Sequence, residues 1–183
     1  MGGYLKKVLV VIDMQHDFID GSLGTPEAQA IVPKVRDLIA SFEGTIIFTR
    51  DSHDQSYLAS QEGQHLPVVH CQMGTSGWQI VEGLVEAAED RPGMTKPIFI
   101  DKPHFGSLEL LHHLEALHNT DGIESITLLG LCTDICVVSN ALILKAGLGE
   151  VPLHVKADCC AGVTVESHQA ALTTMRMCQC IIE

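Results

Sequence analysis

Cys136 lies in the run Gly130-Leu131-Cys132-Thr133-Asp134-Ile135-Cys136, which leads out of an apolar segment into a helical pattern. A thiol near a helix N-terminus, with Thr133 or Asp134 as the capping residue, sits where the thiolate is favoured, and a nearby Lys adds to the effect. The free backbone N–H groups of such a turn could also hold a developing oxyanion. The plainer alternative is a buried structural cysteine. Asp13 ends another apolar run. A carboxylate there needs a partner or a task, because desolvating a charge is costly. It could take the thiol proton and return it to a leaving amine, or it could brace a loop. Lys102 follows a third apolar run, where it could hold both anions and tune both, or stay on the surface. Together the three types suit nucleophilic acyl transfer.

A second group is Asp51-x-His53 with Glu62 and His70. The first pair projects from one face of an extended segment, and the other two can fold back from a loop. Mixed oxygen and nitrogen donors suit zinc or a similar divalent ion, with iron and manganese also compatible. Solvated polar side chains are the competing reading. His65 is a spare ligand candidate, whereas His104, His112, His113 and His118 read as solvated or packing residues.

These residues need a frame. Runs rich in β-branched and apolar residues cover Lys7–Ile12, Thr45–Thr49, Pro97–Ile100, Ser125–Leu129, Pro152–Lys156 and Cys178–Ile182. The first four are apolar almost without alternation, as in parallel strands buried on both faces. Helical patterns lie between them, at Ala30–Phe42, Trp78–Asp90, Ser107–His118, Asp134–Leu148 and Val165–Met177. The alternation predicts an α/β layered sandwich in one domain spanning 1–183. Asp51 to Gly77 breaks it with a long polar loop, which in a compact domain is usually functional or disordered. In open parallel sheets, ligands bind beyond the carboxyl ends of the strands. Asp13, Asp51, His53, Lys102 and Cys136 all follow such ends, so they collect on one rim.

Composition narrows the classes. The 183 residues are 46% hydrophobic and carry a formal charge of −12, which disfavours nucleic acid. Aromatics at 4% offer few stacking platforms for single strands. No apolar run reaches the length of a membrane span, and Val8–Ile12 is too short for a secretory leader's core. A cytoplasmic protein is expected. The seven cysteines are odd in number and include no C-x-x-C, so neither a disulfide framework nor a zinc ribbon is expected. After the first strand the chain reads Asp13-Met14-Gln15-His16-Asp17 instead of G-x-G-x-x-G, and two carboxylates there would repel a pyrophosphate. A nucleotide-binding dehydrogenase is therefore disfavoured. A non-enzymatic binding protein is disfavoured by the presence of all three acyl-transfer residues.

Several stretches together resemble one family. They are Leu9-Val10-Val11-Ile12-Asp13-Met14-Gln15-x-Asp17-Phe18, Thr49-Arg50-Asp51-x-His53, Leu66-Pro67-Val68-Val69-His70-Cys71, Lys102, and Gly130 through Val137. In this order they resemble the isochorismatase-like cysteine hydrolases, most closely the nicotinamidase branch. The resemblance implies a three-layer, Rossmann-like sandwich with a six-stranded parallel sheet flanked by helices. It implies Cys136 as nucleophile, Asp13 as general base and acid, and Lys102 as their electrostatic partner. A cis Leu131–Cys132 bond and an oxyanion hole from the Cys132 and Cys136 amides are also implied. So is a divalent metal, most often zinc, on Asp51, His53 and His70, with Glu62 in the place of an added carboxylate.

The implied reaction converts nicotinamide to nicotinate and ammonia through a cysteine thioester, feeding NAD salvage. The same machinery acts elsewhere on other small amides, carbamoyl or ureido compounds, often without the metal set. The sequence departs from the branch where Leu66 replaces a Trp, which leaves Phe18 and Phe105 to hold a flat ring. The implied partner is a small amide, with no nucleic acid and no membrane. Oligomeric state stays open, a homo-oligomer being among the states the family shows.

Overall fold

A computed structural model describes residues 5–183. The sheet strands are β1 (Lys6–Ile12), β2 (Thr45–Asp51), β3 (Ile98–Lys102), β4 (Ile123–Leu131), β5 (Leu153–Ala161) and β6 (Ile181–Ile182). All pair in parallel, in the order β3-β2-β1-β4-β5-β6. The helices are α1 (His16–Ile19), α2 (Pro26–Ser41), α3 (Gln61–His65), α4 (Leu84–Glu89), α5 (Leu108–Thr120), α6 (Val138–Gly147) and α7 (Val165–Met177). This is the expected α/β sandwich with a six-stranded parallel sheet. Helix α2 packs on α4, while α6 packs on both α5 and α7.

The unbroken apolar runs find their reason in the core. Val8 through Ile12 in β1 are fully buried, as are Ile46, Ile47 and Phe48 in β2 and Leu128 and Leu129 in β4. Helices cover them with Val35 and Ile39 from α2 and with Leu110 and Leu114 from α5. Each such side chain contributes about 1.5–3 kcal/mol on burial. Gly130 lets β4 run against β1: its φ is 118°, and a Cβ there would stand 2.1 Å from the Ile12 carbonyl oxygen.

Several boundaries differ from expectation. β2 and β3 run on to Asp51 and Lys102, which are register partners, so both chemical side chains leave from the sheet itself. Trp78 does not open a helix; α4 starts only at Leu84, after Gly83 at φ 83°. Trp78 instead donates from Nε1 to Ser52 Oγ at 2.8 Å, with the Arg50 guanidinium 3.9 Å above its ring. Cys178 caps α7 and Gln179 turns with φ 68°, which shortens the last strand to Ile181–Ile182. Thr133–Val137 forms a π-helical turn ahead of α6. Such turns occur disproportionately at functional positions. All seven cysteines are free, with Cys178 the exposed one. Among the described residues, no helix is long and apolar enough to cross a membrane.

Candidate active site

Asp13, Lys102 and Cys136 meet above the ends of β1, β3 and β4. Lys102 Nζ stands 2.6 Å from Asp13 Oδ2, 3.4 Å from Asp51 Oδ1 and 3.5 Å from Cys136 Sγ. It also donates to the His104 carbonyl at 3.2 Å. Its approach to Asp13 Oδ2 is a charge contact rather than an aligned hydrogen bond. The other carboxylate oxygen, Asp13 Oδ1, accepts from Thr49 Oγ1 at 2.6 Å. Asp13 itself turns off β1 with φ 48°.

Burial pushes the Asp13 carboxyl above the usual carboxylate range, with Lys102 opposing that shift. Burial works against the Lys102 ammonium, yet Asp13, Cys136 and Asp51 hold it above its ordinary value. The Cys136 thiol is pushed well up, first by burial and then by the Asp13 charge. This reverses the lowering expected from a helix N-terminus and a nearby lysine. Lys102 favours the anion, but desolvation outweighs it. Neither Thr133 nor Asp134 caps the turn, since Cys132 is its N-cap, Thr133 Oγ1 lies 2.8 Å from His168 Nδ1 and Asp134 accepts from the Val163 amide. The neighbouring Cys132 thiol is pushed up to about 12 by burial.

At the other end, one atom each from Asp51, His53, Glu62 and His70 lie within 4.8 Å of one another. His53 Nε2 is 2.9 Å from Asp51 Oδ2 and 3.6 Å from Glu62 Oε1. His70 Nε2 is 3.6 Å from Asp51 Oδ2 and 3.8 Å from Glu62 Oε1. His70 Nδ1 lies 2.8 Å from the Val68 carbonyl, which takes its N–H and leaves Nε2 free to ligate. Burial, and then the Asp51 charge, push the Glu62 carboxyl up. Two carboxylates and two imidazoles thus converge with a charge that a divalent cation would relieve. The donor set fits zinc, iron or manganese. Helix α3, capped by Ser60 Oγ accepting from the Gly63 amide, brings Glu62 into place. His65 is left outside, its Nδ1 2.8 Å from the Gln61 carbonyl on the surface.

A cavity of about 280 Å³ joins the two ends. Phe18, Phe105, Cys132 and Cys136 line it together with Asp51, Glu62 and His70. The Phe18 ring tilts against His70 at 5.5 Å, whereas Phe105 stands exposed. The Leu131–Cys132 bond is cis.

Two residues were not singled out from sequence. Gln15 is fully buried, donates from Nε2 to the Asp51 and Trp78 carbonyls at 2.9 Å, and accepts from the Asp51 amide at 2.7 Å. Asn140 donates from Nδ2 to the Cys136 carbonyl at 2.8 Å and the Phe105 carbonyl at 3.1 Å. It also accepts from the Ser107 amide at 3.0 Å. Gln15 stood directly beyond Asp13 and Met14, and its place in a strand-end turn was the available signal. Asn140 gave none, since a helical Asn is ordinarily solvated.

Residues 7–183 match the Isochorismatase domain. The chain belongs to that family. Among curated members, the nicotinamidase of Saccharomyces cerevisiae is 23% identical, over 74% of this chain and 80% of its own. A zinc complex of the pyrazinamidase of Pyrococcus horikoshii is 27% identical, with TM-score 0.78, covering 97% of this isochorismatase-family chain and 98% of that one. The pyrazinamidase/nicotinamidase of Streptococcus mutans is 26% identical with TM-score 0.81, covering 97% and 99%. The family places this chain among the hydrolases.

Proposed function

We propose that the protein hydrolyses nicotinamide to nicotinate and ammonia. The observation that carries this reading is Lys102 Nζ, which stands within 3.5 Å of Asp13, Asp51 and Cys136 and so couples a thiol and its base to a cation site. The Asp51–His53–Glu62–His70 cluster would hold the divalent ion, most simply zinc, which when bound supplies a Lewis-acid anchor for a ring nitrogen. Phe18 and Phe105 flank the ring.

Asp13 takes the Cys136 proton as Sγ attacks the amide carbon, and Lys102 offsets the negative charge shared by the two. The Cys132 and Cys136 amides receive the oxyanion. The C–N bond then breaks, Asp13 passes its proton to the departing nitrogen, and ammonia leaves a thioester on Cys136. A water attacks that thioester and gives its proton to Asp13. Collapse releases nicotinate and returns the thiol. Burial suits Asp13 to both steps, because its raised pKa makes it a better base than an ordinary carboxylate.

The test is ammonia release from nicotinamide by the purified protein, beside Cys136→Ala and a chelated sample. Release that needs both the thiol and the metal supports the reading. Absence of release, with Cys136 still open to alkylation, overturns the substrate assignment.

A further inference from the structure

The loop that brings His70 to the cation cluster is fastened to α1 by one carboxylate. Asp17 lies in α1, just beyond the turn that carries Asp13. Its Oδ2 accepts from the Cys71 amide at 2.7 Å. A carboxylate on a backbone N–H makes a charge-assisted bond, roughly twice as strong as a neutral one.

Cys71 is the residue after His70. It is fully buried and stands in the left-handed region with φ 46°, where few non-glycine residues are found. Such a conformation persists only where its surroundings fix it. Asp17 holds Cys71 from the amide side. On the other side the Cys71 carbonyl accepts from the His53 amide at 3.0 Å, and the His53 carbonyl accepts from the Met73 amide at 2.9 Å. One residue thus joins the backbones of two imidazole donors, and Asp17 grips that residue. The next residue of α1 adds to the hold, because the Phe18 ring tilts against the His70 imidazole at 5.5 Å.

The sequence makes room for this carboxylate. Gly77 is not among the residues with positive φ, so its backbone would admit a side chain. Its Cβ, however, would stand 2.1 Å from Asp17 Oδ2 and 2.5 Å from Oδ1. The Gly77 carbonyl also accepts from the Asp17 amide at 3.0 Å. Glycine at 77 is therefore a requirement of space, and what fills the space is the Asp17 side chain.

We infer that Asp17 is a positioning residue for the cation cluster: it fixes the Cys71 backbone, and through Cys71 it aims His53 and His70 at a common ion. The inference rests on the cation site of the amidase proposed above. It gives the Asp17 carboxylate no contact with the ion or with substrate.

The experiment titrates zinc into the chelated and dialysed whole chain, by calorimetry against a competing chelator, and follows urea unfolding of the same metal-free samples. Loss of an outer partner of a metal ligand typically costs about 10–100-fold in affinity. Asp17→Ala is expected to weaken zinc binding by that factor. Gly77→Ala displaces the carboxylate without removing it and is expected to weaken binding in the same direction. Asp17→Asn still offers an oxygen to the Cys71 amide and recovers part of the loss. Thr75→Val removes a different hydrogen bond of the same loop, from Thr75 Oγ1 to the Gln72 carbonyl at 2.7 Å, and leaves zinc affinity unchanged.

Zinc affinity equal to the parent's in Asp17→Ala, or in Gly77→Ala if Asp17→Ala does not fold, overturns the inference. It does so even where urea unfolding shows lost stability, since Asp17 then braces the loop alone. An equal loss of affinity in Thr75→Val overturns it as well. A parent that binds no zinc defeats the cation site, and the inference with it. Zinc bound by the parent and weakened in Asp17→Ala, with nicotinamide left unhydrolysed, supports the inference and defeats only the substrate assignment.

Discussion

Lys102 Nζ and Asp13 Oδ2 are 2.6 Å apart, and neither side chain is exposed to solvent. The pair comes from β3 and from the end of β1, two strands that are not neighbours in the sheet. Lys102 therefore reaches across the end of β2, where it meets Asp51, the register partner of its own backbone. Breaking such a pair from one side leaves a buried charge without compensation, which typically costs 3–5 kcal/mol. Lys102→Met is expected to lose about that much in denaturant unfolding, besides abolishing turnover. The double variant with Asp13→Asn should recover part of the stability, because no lone charge remains. A Lys102→Met protein as stable as the parent would show that the pair carries no such coupling.

Asp13→Asn keeps the shape of the side chain and removes the proposed base. The turnover rate on nicotinamide should fall by about two to four decades, with KM changed far less, since the ring walls and the cation cluster are untouched. Steady-state kinetics read both parameters together.

The acid side of the pH profile follows from Asp13. In the proposed mechanism its active form is the carboxylate, and burial raises its pKa above the ordinary 3.8. Lowering the pH through the raised value protonates the base, so kcat/KM is lost on the acid side earlier than an exposed Asp would allow. The profile of kcat/KM against pH measures this limb directly, and a limb at or below 3.8 contradicts the assignment.

Removing the metal should act through binding and stability. A cation held only by the folded cluster stabilises it by mass action, about 2.7 kcal/mol at a hundredfold excess over its Kd. Chelation is thus expected to lower Tm and raise KM for nicotinamide, while Cys136 stays reactive toward alkylating agents. Glu62→Gln should reduce metal affinity, as titration of the stripped protein will show.

Gly130→Ala tests the close approach of β4 and β1. A φ of 118° and a Cβ placed 2.1 Å from the Ile12 carbonyl leave no room for a side chain. A loss above about 2 kcal/mol is expected in denaturant unfolding.

The parallel sheet was legible because Val8–Ile12 and Ile46–Phe48 are apolar without alternation, which only burial on both faces explains. Strand ends then placed Asp13, Lys102 and Cys136 on one rim. The family resemblance supplied their roles, which spacing alone left open against structural alternatives. The segment around Trp78 was misread because its apolar residues carry a helix-like spacing. There Gly83 in the left-handed region and the Trp78–Ser52 hydrogen bond decide the backbone instead. The direction of the Cys136 shift differs from expectation for another reason. Sequence shows the lysine and two candidate caps, but not that neither Thr133 nor Asp134 caps the turn, nor the depth of burial that outweighs the lysine. Gln15 and Asn140 escaped notice because their work is to satisfy distant backbone groups, and those partners become visible only once the chain is folded.

The most direct test is to quench the protein with acid during turnover of nicotinamide and weigh the peptide that contains Cys136. A nicotinoyl group is expected on that peptide, absent from Cys136→Ala, with ammonia release lost in the same variant. Ammonia release that persists in Cys136→Ala would overturn the thioester route.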